Sequence, residues 1–182
     1  MSAERYFSVD IESAGPIPGK YSMLSVGACV VGAPDRAFYA ELRPISMDAV
    51  PAALEVSQFD LAQLAQTGES PVDVMNRFRT WILAETQSFR PVFVGFNATY
   101  DWQFVNWYFH TFCGDNPFGF GGVDIKSYHM GKCSLAWGDT TSSKLPTRYQ
   151  PETPQTHNAL DDARAQASIF RKLLVTSPEH LE

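Results

Sequence analysis

The sequence lacks a disulfide framework and a long apolar segment. It contains only three cysteines, Cys29, Cys113 and Cys133, an odd count without paired spacing, which is typical of reduced thiols. Its longest apolar run, MLSVGACVVGA, is much shorter than the roughly 20 residues that cross a bilayer. The N-terminus shows no basic segment followed by an apolar stretch, as a secretion signal requires. The sequence therefore predicts a cytoplasmic protein without membrane association.

Positive charge is in the minority. Lys and Arg number 14 against 20 Asp and Glu, which gives a formal net charge of −6. This balance excludes a protein that holds nucleic acid on a generally basic surface. It does not exclude an enzyme that acts on nucleic acid, because bound cations can supply positive charge locally.

Apolar periodicity and turn residues predict one α/β domain over residues 1–176 with a frayed tail at 177–182. Its mixed central β-sheet would be flanked by helices. A polar, proline-rich loop is expected at residues 138–156. The other predicted elements are strands at 5–11, 21–31, 36–44 and 91–96, a helix over 70–85 capped by Ser70, and helices over about 97–112 and 158–175. A strand end followed by a helix is expected within residues 123–137.

Two acids interrupt the first predicted strand, in the stretch FSVDIESAGP. Side chains two apart on a strand share a face, so Asp10 and Glu12 look into the same space. Like charges this close repel one another unless a positive charge lies between them. A strand with one wet face would also show this alternation, so the strand alone leaves two interpretations, a solvated face and half of a metal site.

Helical periodicity adds two further acids. In the helix over 97–112, Asp101 falls within the apolar sector. In the last helix, Asp162 lies on the apolar side, whereas the adjacent Asp161 shares its side with polar residues. Buried acids are rare unless they are paired or bind a metal. For Asp101, stabilisation by the helix dipole near the first turn is an equal alternative.

The four inward acids come from three separate predicted elements. Their convergence without cations would be electrostatically costly, and hard carboxylate oxygens suit Mg²⁺ or Mn²⁺. Two such ions roughly 4 Å apart can hold the attacking and leaving oxygens of a phosphodiester. His157 stands five residues before Asp162, on the loop side of the helix, where its imidazole can swing over a site near the helix start.

Three short motifs contain these residues. VDIES carries Asp-x-Glu, FNATYD carries Asn and Asp separated by three residues, and HNALDD carries His-x-Ala-x-x-Asp. Together they resemble the motifs of the DnaQ-like 3′-to-5′ exonucleases of the DEDDh branch. The motifs follow the family's order and span nearly the whole chain, each with the expected strand or helix context. This family includes ribonuclease T, oligoribonuclease and the proofreading subunits of polymerases such as DNA polymerase III. The resemblance implies a ribonuclease H-like fold.

The resemblance also implies roles for the matched residues. Asp10, Glu12, Asp101 and Asp162 would bind two Mg²⁺ or Mn²⁺ ions, and His157 would be the general base for the attacking water. Single-stranded DNA or RNA would be shortened from its 3′ end with release of nucleoside 5′-monophosphates. A non-catalytic nucleic-acid-binding or protein-interaction module on the same fold is the alternative. Several relatives are dimers, so a homodimer is expected by analogy alone.

Five residues are predicted to contact the substrate. Ser13 and Ala14 would contribute backbone groups by family analogy, and Asn97 belongs to the second motif. Lys144 and Arg148 form a small cationic group in the predicted loop, which suits a phosphate backbone, although a solvated loop is an equal alternative. Many relatives continue the first motif as Thr-Thr-Gly-Leu, whereas this chain has Ser-Ala-Gly-Pro, so its contact with the terminal base is expected to differ.

A weaker alternative is a zinc clamp. His110 and Cys113 form one H-x2-C pair, and His129 and Cys133 form an H-x3-C pair. The spacing between the two pairs fits no common zinc finger. A zinc-stabilised interaction domain is therefore the third hypothesis, and stoichiometric zinc in the purified protein would reveal it.

Overall fold

The computed structural model describes residues 3–152 and 156–176, and the expected tail at 177–182 lies outside them. Among the described residues, no helix is both long enough and apolar enough to cross a membrane. The strands are β1 (Glu4–Ser13), β2 (Met23–Val30), β3 (Ala33–Glu41), β4 (Arg90–Gly95) and β5 (Gly122–Asp124). The helices are α1 (Pro51–Ser57), α2 (Leu61–Thr67), α3 (Pro71–Thr86), α4 (Thr99–Cys113), α5 (Ile125–Cys133) and α6 (Ala159–Val175).

The strands form one mixed sheet in the order β3-β2-β1-β4-β5. The first three strands are antiparallel neighbours, and β1, β4 and β5 run parallel to one another. This arrangement confirms the predicted α/β fold. Because β1 is central and parallel to β4, the end of β1 lies beside the turn that leads from β4 into α4.

The two faces of β1 have different roles. Phe7, Val9 and Ile11 are buried in the main hydrophobic core with residues of α3 and α4. Because side chains alternate along a strand, Asp10 and Glu12 point to the opposite face, which α6 covers. The alternation of apolar and acidic side chains along β1 therefore places the hydrophobic core on one face of the sheet and the acids on the other.

The backbone at the start of α6, at Ala159 and Leu160, packs directly against Gly27 of β2. A Cβ atom on Gly27 would lie 2.2 Å from the backbone carbonyl carbon of Ala159, a distance that no side chain can tolerate. Gly27 is also the strand partner of Asp10. The absence of a side chain there allows the first turn of α6, which carries Asp162, to approach the acids of β1.

Two parts of the chain differ from the prediction. Residues 45–69 contain α1 and α2, which were not predicted from the sequence. Ser70 does precede α3, with Pro71 as its first residue, but the Ser70 hydroxyl makes no capping hydrogen bond, so the predicted serine cap is wrong in this detail.

The predicted loop at residues 138–156 is more ordered than its composition indicates. Its described part contains three single-turn 3₁₀ helices, at Trp137–Asp139, Ser142–Lys144 and Thr147–Tyr149. Leu145 and Tyr149 are buried in a second hydrophobic cluster together with residues of α6. Two isolated apolar side chains therefore anchor this otherwise polar segment against the last helix.

Candidate active site

The acids of β1 lie under the N-terminal half of α6. Asp10 and Glu12 are half-buried, and their partners on β2 are Gly27 and Ser25. Directly paired residues point to the same face of a sheet. The neighbour of Glu12 on that face is therefore the small side chain of Ser25, and Asp10 has no side chain beside it because its partner is Gly27. The sheet therefore leaves room for α6 above the two carboxylates.

Asp101 lies in the first turn of α4 and is only 5% exposed. Its Oδ1 accepts a hydrogen bond from the Ile11 backbone N–H at 3.1 Å. Since Ile11 lies between Asp10 and Glu12, this bond fixes the acid of α4 beside the acids of β1. Asn97, with a left-handed φ of 65°, turns the chain from β4 toward α4.

Asp162 lies in the first turn of α6 and is also 5% exposed. Its Oδ1 accepts from the Thr156 N–H at 2.8 Å and its Oδ2 from the His157 N–H at 3.2 Å. The Asn158 side chain caps the helix through the N–H groups of Leu160 and Asp161. The turn before α6 is thus folded around the Asp162 carboxylate.

His157 completes a compact group of ligand atoms. Its φ is 59°, so the backbone is left-handed, and its side chain is exposed. One ring nitrogen of His157 and one carboxylate oxygen each of Glu12 and Asp162 lie within 4.8 Å of one another. Three of the five predicted catalytic residues therefore converge to within the reach of a single ion.

The electrostatics tie the other two acids to this group. Burial, followed by the carboxylates of Asp101, Asp162 and Glu12, raises the pKa of Asp10 well above its usual value. Burial and then Asp162 raise the pKa of Glu12 to about 7. Burial also raises the pKa of Asp101, despite the opposing effect of the Ile11 N–H. The four carboxylates therefore share one poorly solvated space and repel one another.

This donor set fits divalent metal ions. The oxygens are hard ligands, and a bound cation would offset both the burial of the carboxylates and their mutual repulsion, which together raise the pKa values. The carboxylates would hold the ions, while the ring of His157 is available either as a further ligand or as a proton acceptor.

Gln166 is a site residue that the sequence analysis missed. It lies one turn after Asp162 in α6, is only 2% exposed, and donates from Nε2 to Asp10 Oδ1 at 2.5 Å. The available signal was its position four residues after Asp162, which places both side chains on one face of the helix.

Ser13 and Ala14, predicted to contact the substrate, already use their polar groups within the protein. The Ser13 hydroxyl is 2.7 Å from the Tyr100 hydroxyl and donates to the Gly15 carbonyl at 3.0 Å. The Ala14 N–H donates to the Ser22 carbonyl, and the Ala14 carbonyl accepts from Val50. Their contact with a substrate stays a prediction. Such a contact would have to form while these internal hydrogen bonds of Ser13 and Ala14 are kept.

Lys144 and Arg148 lie in the 3₁₀ segment and are exposed. The Lys144 ammonium donates to Asp139 Oδ1 at 2.8 Å and to the Gly138 carbonyl at 2.9 Å. The Arg148 guanidinium lies 5.0 Å from the centre of the Tyr149 ring. The role of both cations in binding the substrate also stays a prediction.

The four candidate zinc ligands are dispersed. Cys113 packs against the main core cluster, whereas Cys133 packs against the second cluster. The His129 ring makes an edge-to-face contact with the Tyr149 ring. His110 is exposed at the end of α4. Within residues 3–152 and 156–176, the zinc clamp is therefore not formed, and Glu12, His157 and Asp162 are the metal-type cluster that is found.

Comparison with known proteins identifies a relative with a similar sequence. The chain is 50% identical over 169 residues to the 3′-5′ DNA exonuclease Cap18 of Escherichia coli, which covers 92% of this chain and 90% of that protein. No model of a known protein family matches the sequence. The identity and coverage are high enough to establish a common family.

Solved structures support the same fold at much lower identity. The nuclease domain of 3′hExo, a DEDDh family member bound to rAMP, has a TM-score of 0.72 at 11% identity, covering 94% of this chain and 92% of that domain. Escherichia coli exonuclease I in complex with a dT13 oligonucleotide has a TM-score of 0.69 at 13% identity. That match covers 97% of this chain but 42% of exonuclease I. These likenesses confirm the ribonuclease H-like fold.

Proposed function

Since the chain belongs to the DEDDh 3′-to-5′ exonucleases, we propose that it shortens single-stranded DNA from the 3′ end and releases nucleoside 5′-monophosphates. DNA is the first choice because the relative at 50% identity is named a DNA exonuclease. Single strands are the first choice because exonuclease I, which shares the fold, was solved with a dT13 oligonucleotide.

The observation that carries this proposal is the convergence of the four acids and His157. They come from β1, α4 and the start of α6. Burial first, and then neighbouring carboxylates, raise the pKa values of Asp10, Glu12 and Asp101. A structural role alone would not require so many mutually repelling acids in one place. We propose that these acids hold two Mg²⁺ or Mn²⁺ ions, which supply water activation and neutralise charge on the phosphate when bound.

His157 is proposed as the general base. Its exposed ring lies beside Glu12 and Asp162, and its N–H bond to Asp162 fixes the backbone from which the ring projects. In this role the imidazole accepts the proton of the water that attacks the terminal phosphodiester. The 3′-terminal nucleotide then leaves as a 5′-monophosphate and the shortened strand retains a 3′-hydroxyl.

The deciding experiment compares two adjacent aspartates. Asp162→Asn removes a buried carboxylate of the site, whereas Asp161→Asn changes its exposed neighbour, which forms a surface ion pair with Arg164. We expect Asp162→Asn to lower kcat on 5′-labelled single-stranded DNA by roughly 10²-fold or more, as for other losses of transition-state charge stabilisation. Asp161→Asn should remain within about twofold of the parent, as is usual for surface changes.

The same assay tests substrate and metal. Single-stranded DNA, single-stranded RNA and duplex DNA are compared in Mg²⁺, in Mn²⁺ and in chelator, and products are resolved to single nucleotides. Stepwise shortening in the divalent cation and none in chelator is expected. An absence of shortening on every substrate would instead favour the non-catalytic binding module. Equal activity of Asp162→Asn and the parent would contradict the assignment of the site.

His157 is tested separately from the acids. His157→Ala should lower kcat by about 10²- to 10⁴-fold, the usual contribution of a positioned general base. Because the carboxylates remain, Mn²⁺ binding measured by electron paramagnetic resonance should weaken far less than in Asp162→Asn. Loss of Mn²⁺ binding equal to that of Asp162→Asn would show that His157 is a metal ligand rather than the base.

A further inference from the structure

Gln166 is held in one orientation by two hydrogen bonds. Its Oε1 accepts from the Phe96 backbone N–H at 2.9 Å, and its Nε2 donates to Asp10 Oδ1 at 2.5 Å. The Phe96 N–H can only donate, so the oxygen of the amide must face Phe96 and the NH₂ group must face Asp10. The usual ambiguity between the oxygen and nitrogen of an amide side chain is therefore resolved by the backbone.

The same side chain connects the elements that carry the four acids. Gln166 belongs to α6, which carries Asp162, and Asp10 belongs to β1, which also carries Glu12. Phe96 lies between β4 and α4, directly before the left-handed Asn97 and five residues before Asp101. One buried amide thus links α6, β1 and the turn into α4 at the point where the carboxylates meet.

Resting on the proposed function, we propose that Gln166 is a positioning residue that fixes the Asp10 carboxylate for metal binding. It contacts neither substrate nor the reacting atoms, and it acts through Asp10. Carboxylates that bind metals are commonly oriented by a hydrogen-bond donor behind them, and loss of such a partner typically costs about 10- to 100-fold in metal affinity or activity. The donated bond to Asp10 fulfils this description, and the bond from Phe96 keeps the donor in place.

The test uses Gln166→Met and a matched control. Methionine has a similar length but neither donates to Asp10 nor accepts from Phe96. Ile169→Val is the control, because Ile169 is buried in the same helix and packs in the second hydrophobic cluster away from Asp10. Mn²⁺ binding is measured by electron paramagnetic resonance without nucleic acid, and thermal unfolding of both variants shows whether they are folded.

We expect Mn²⁺ binding by Gln166→Met to weaken about 10- to 100-fold, with Ile169→Val within about threefold of the parent. On single-stranded DNA, kcat should fall while KM changes by less than about threefold, since Asp10 rather than the substrate is displaced. Parental Mn²⁺ affinity in folded Gln166→Met would overturn the inference. Equal losses in both variants would also overturn it, because general packing would then explain them.

A second variant keeps the test decisive if Gln166→Met does not fold. Gln166→Asn retains an amide but is one methylene shorter, so it cannot span Phe96 and Asp10 together, and at least about tenfold weaker Mn²⁺ binding is expected. Parental affinity in this variant would overturn the inference as well. A parent protein that binds no Mn²⁺ would contradict the proposed function itself, whereas unchanged binding in the variants would contradict only the role of Gln166.

Discussion

At the scale of single residues, two left-handed positions orient the acids of both helices. Asn97 and His157 have φ values of 65° and 59°, which are uncommon for residues other than glycine. Asn97 stands four residues before Asp101, and His157 stands five before Asp162. In each case the unusual backbone ends an incoming segment and lets the helix start with its acid directed inward. Such strain is found where surrounding contacts enforce it, and it clusters at functional sites.

The raised pKa values predict how the stability of the metal-free protein depends on pH. The pKa of Glu12 is raised from its ordinary 4.5 to about 7, so between these values the folded protein holds a proton that the unfolded chain has released. Stability therefore falls as pH rises through this interval, and the raised pKa values of Asp10 and Asp101 act in the same direction. We expect the Tm measured in chelator to decrease from pH 5 to pH 8.

Asp101→Asn is the informative variant for this prediction. The amide removes one repelling charge, and its oxygen can still accept from the Ile11 N–H. The variant should therefore have a higher Tm than the parent at pH 8 in chelator and a smaller gain from Mg²⁺. Asp161→Asn should retain the parental pH profile. A parental Tm that rises from pH 5 to pH 8 would show that the four acids do not share one poorly solvated space.

At the scale of elements, the contact of α6 with β2 positions half of the site. Gly27→Ala would place a Cβ atom 2.2 Å from the Ala159 carbonyl carbon, and a backbone atom cannot rotate away as a side chain can. We expect the variant to lose at least about 3 kcal/mol of unfolding free energy, at the upper end of overpacking effects. Nuclease activity should fall as well, because α6 must move away from β1.

Gly131→Ala is the matched control for Gly27→Ala. Gly131 lies inside α5, and an added Cβ there meets no atom within 4 Å. Alanine in a helix interior is favoured over glycine by about 1 kcal/mol, so this variant should be slightly more stable and fully active. Urea unfolding and kcat on single-stranded DNA measure both effects. If Gly27→Ala unfolds at the parental midpoint, α6 does not depend on this close approach.

The elements also show what the sequence could predict. Periodicity correctly directed Asp101 and Asp162 inward and Asp161 outward, since long amphipathic helices have a strong repeat. Helices α1 and α2 contain 7 residues each, too few for a repeat to emerge. Tyr149 is buried by contacts with α6, which is distant in sequence, so the residues around Tyr149 do not predict its burial. Gln166 was missed for a similar reason, because both of its hydrogen-bond partners, Asp10 and Phe96, are distant from it in the sequence.

At the scale of the whole molecule, the charge balance does not favour an extended contact with a nucleic acid. The net charge is −6, and several cationic side chains are already bound to acids. The ion pairs are Arg36–Glu85, Arg77–Glu69, Arg79–Asp115, Lys144–Asp139 and Arg164–Asp161. A substrate strand would therefore be held chiefly at its 3′ end through the metal site rather than along an extended basic path.

This distribution predicts a weak dependence of substrate binding on monovalent salt. For single strands the slope of log affinity against log salt is about −0.7 for each phosphate contact, so two contacts would raise KM by less than about tenfold between 50 and 200 mM NaCl. The measurement is KM for single-stranded DNA at fixed Mg²⁺ across that range. A rise above 100-fold would require several more phosphate contacts and would contradict binding chiefly at the 3′ end. Arg148→Ala and Lys144→Ala should each lower the slope by about 0.7 if the side chain removed contacts a phosphate.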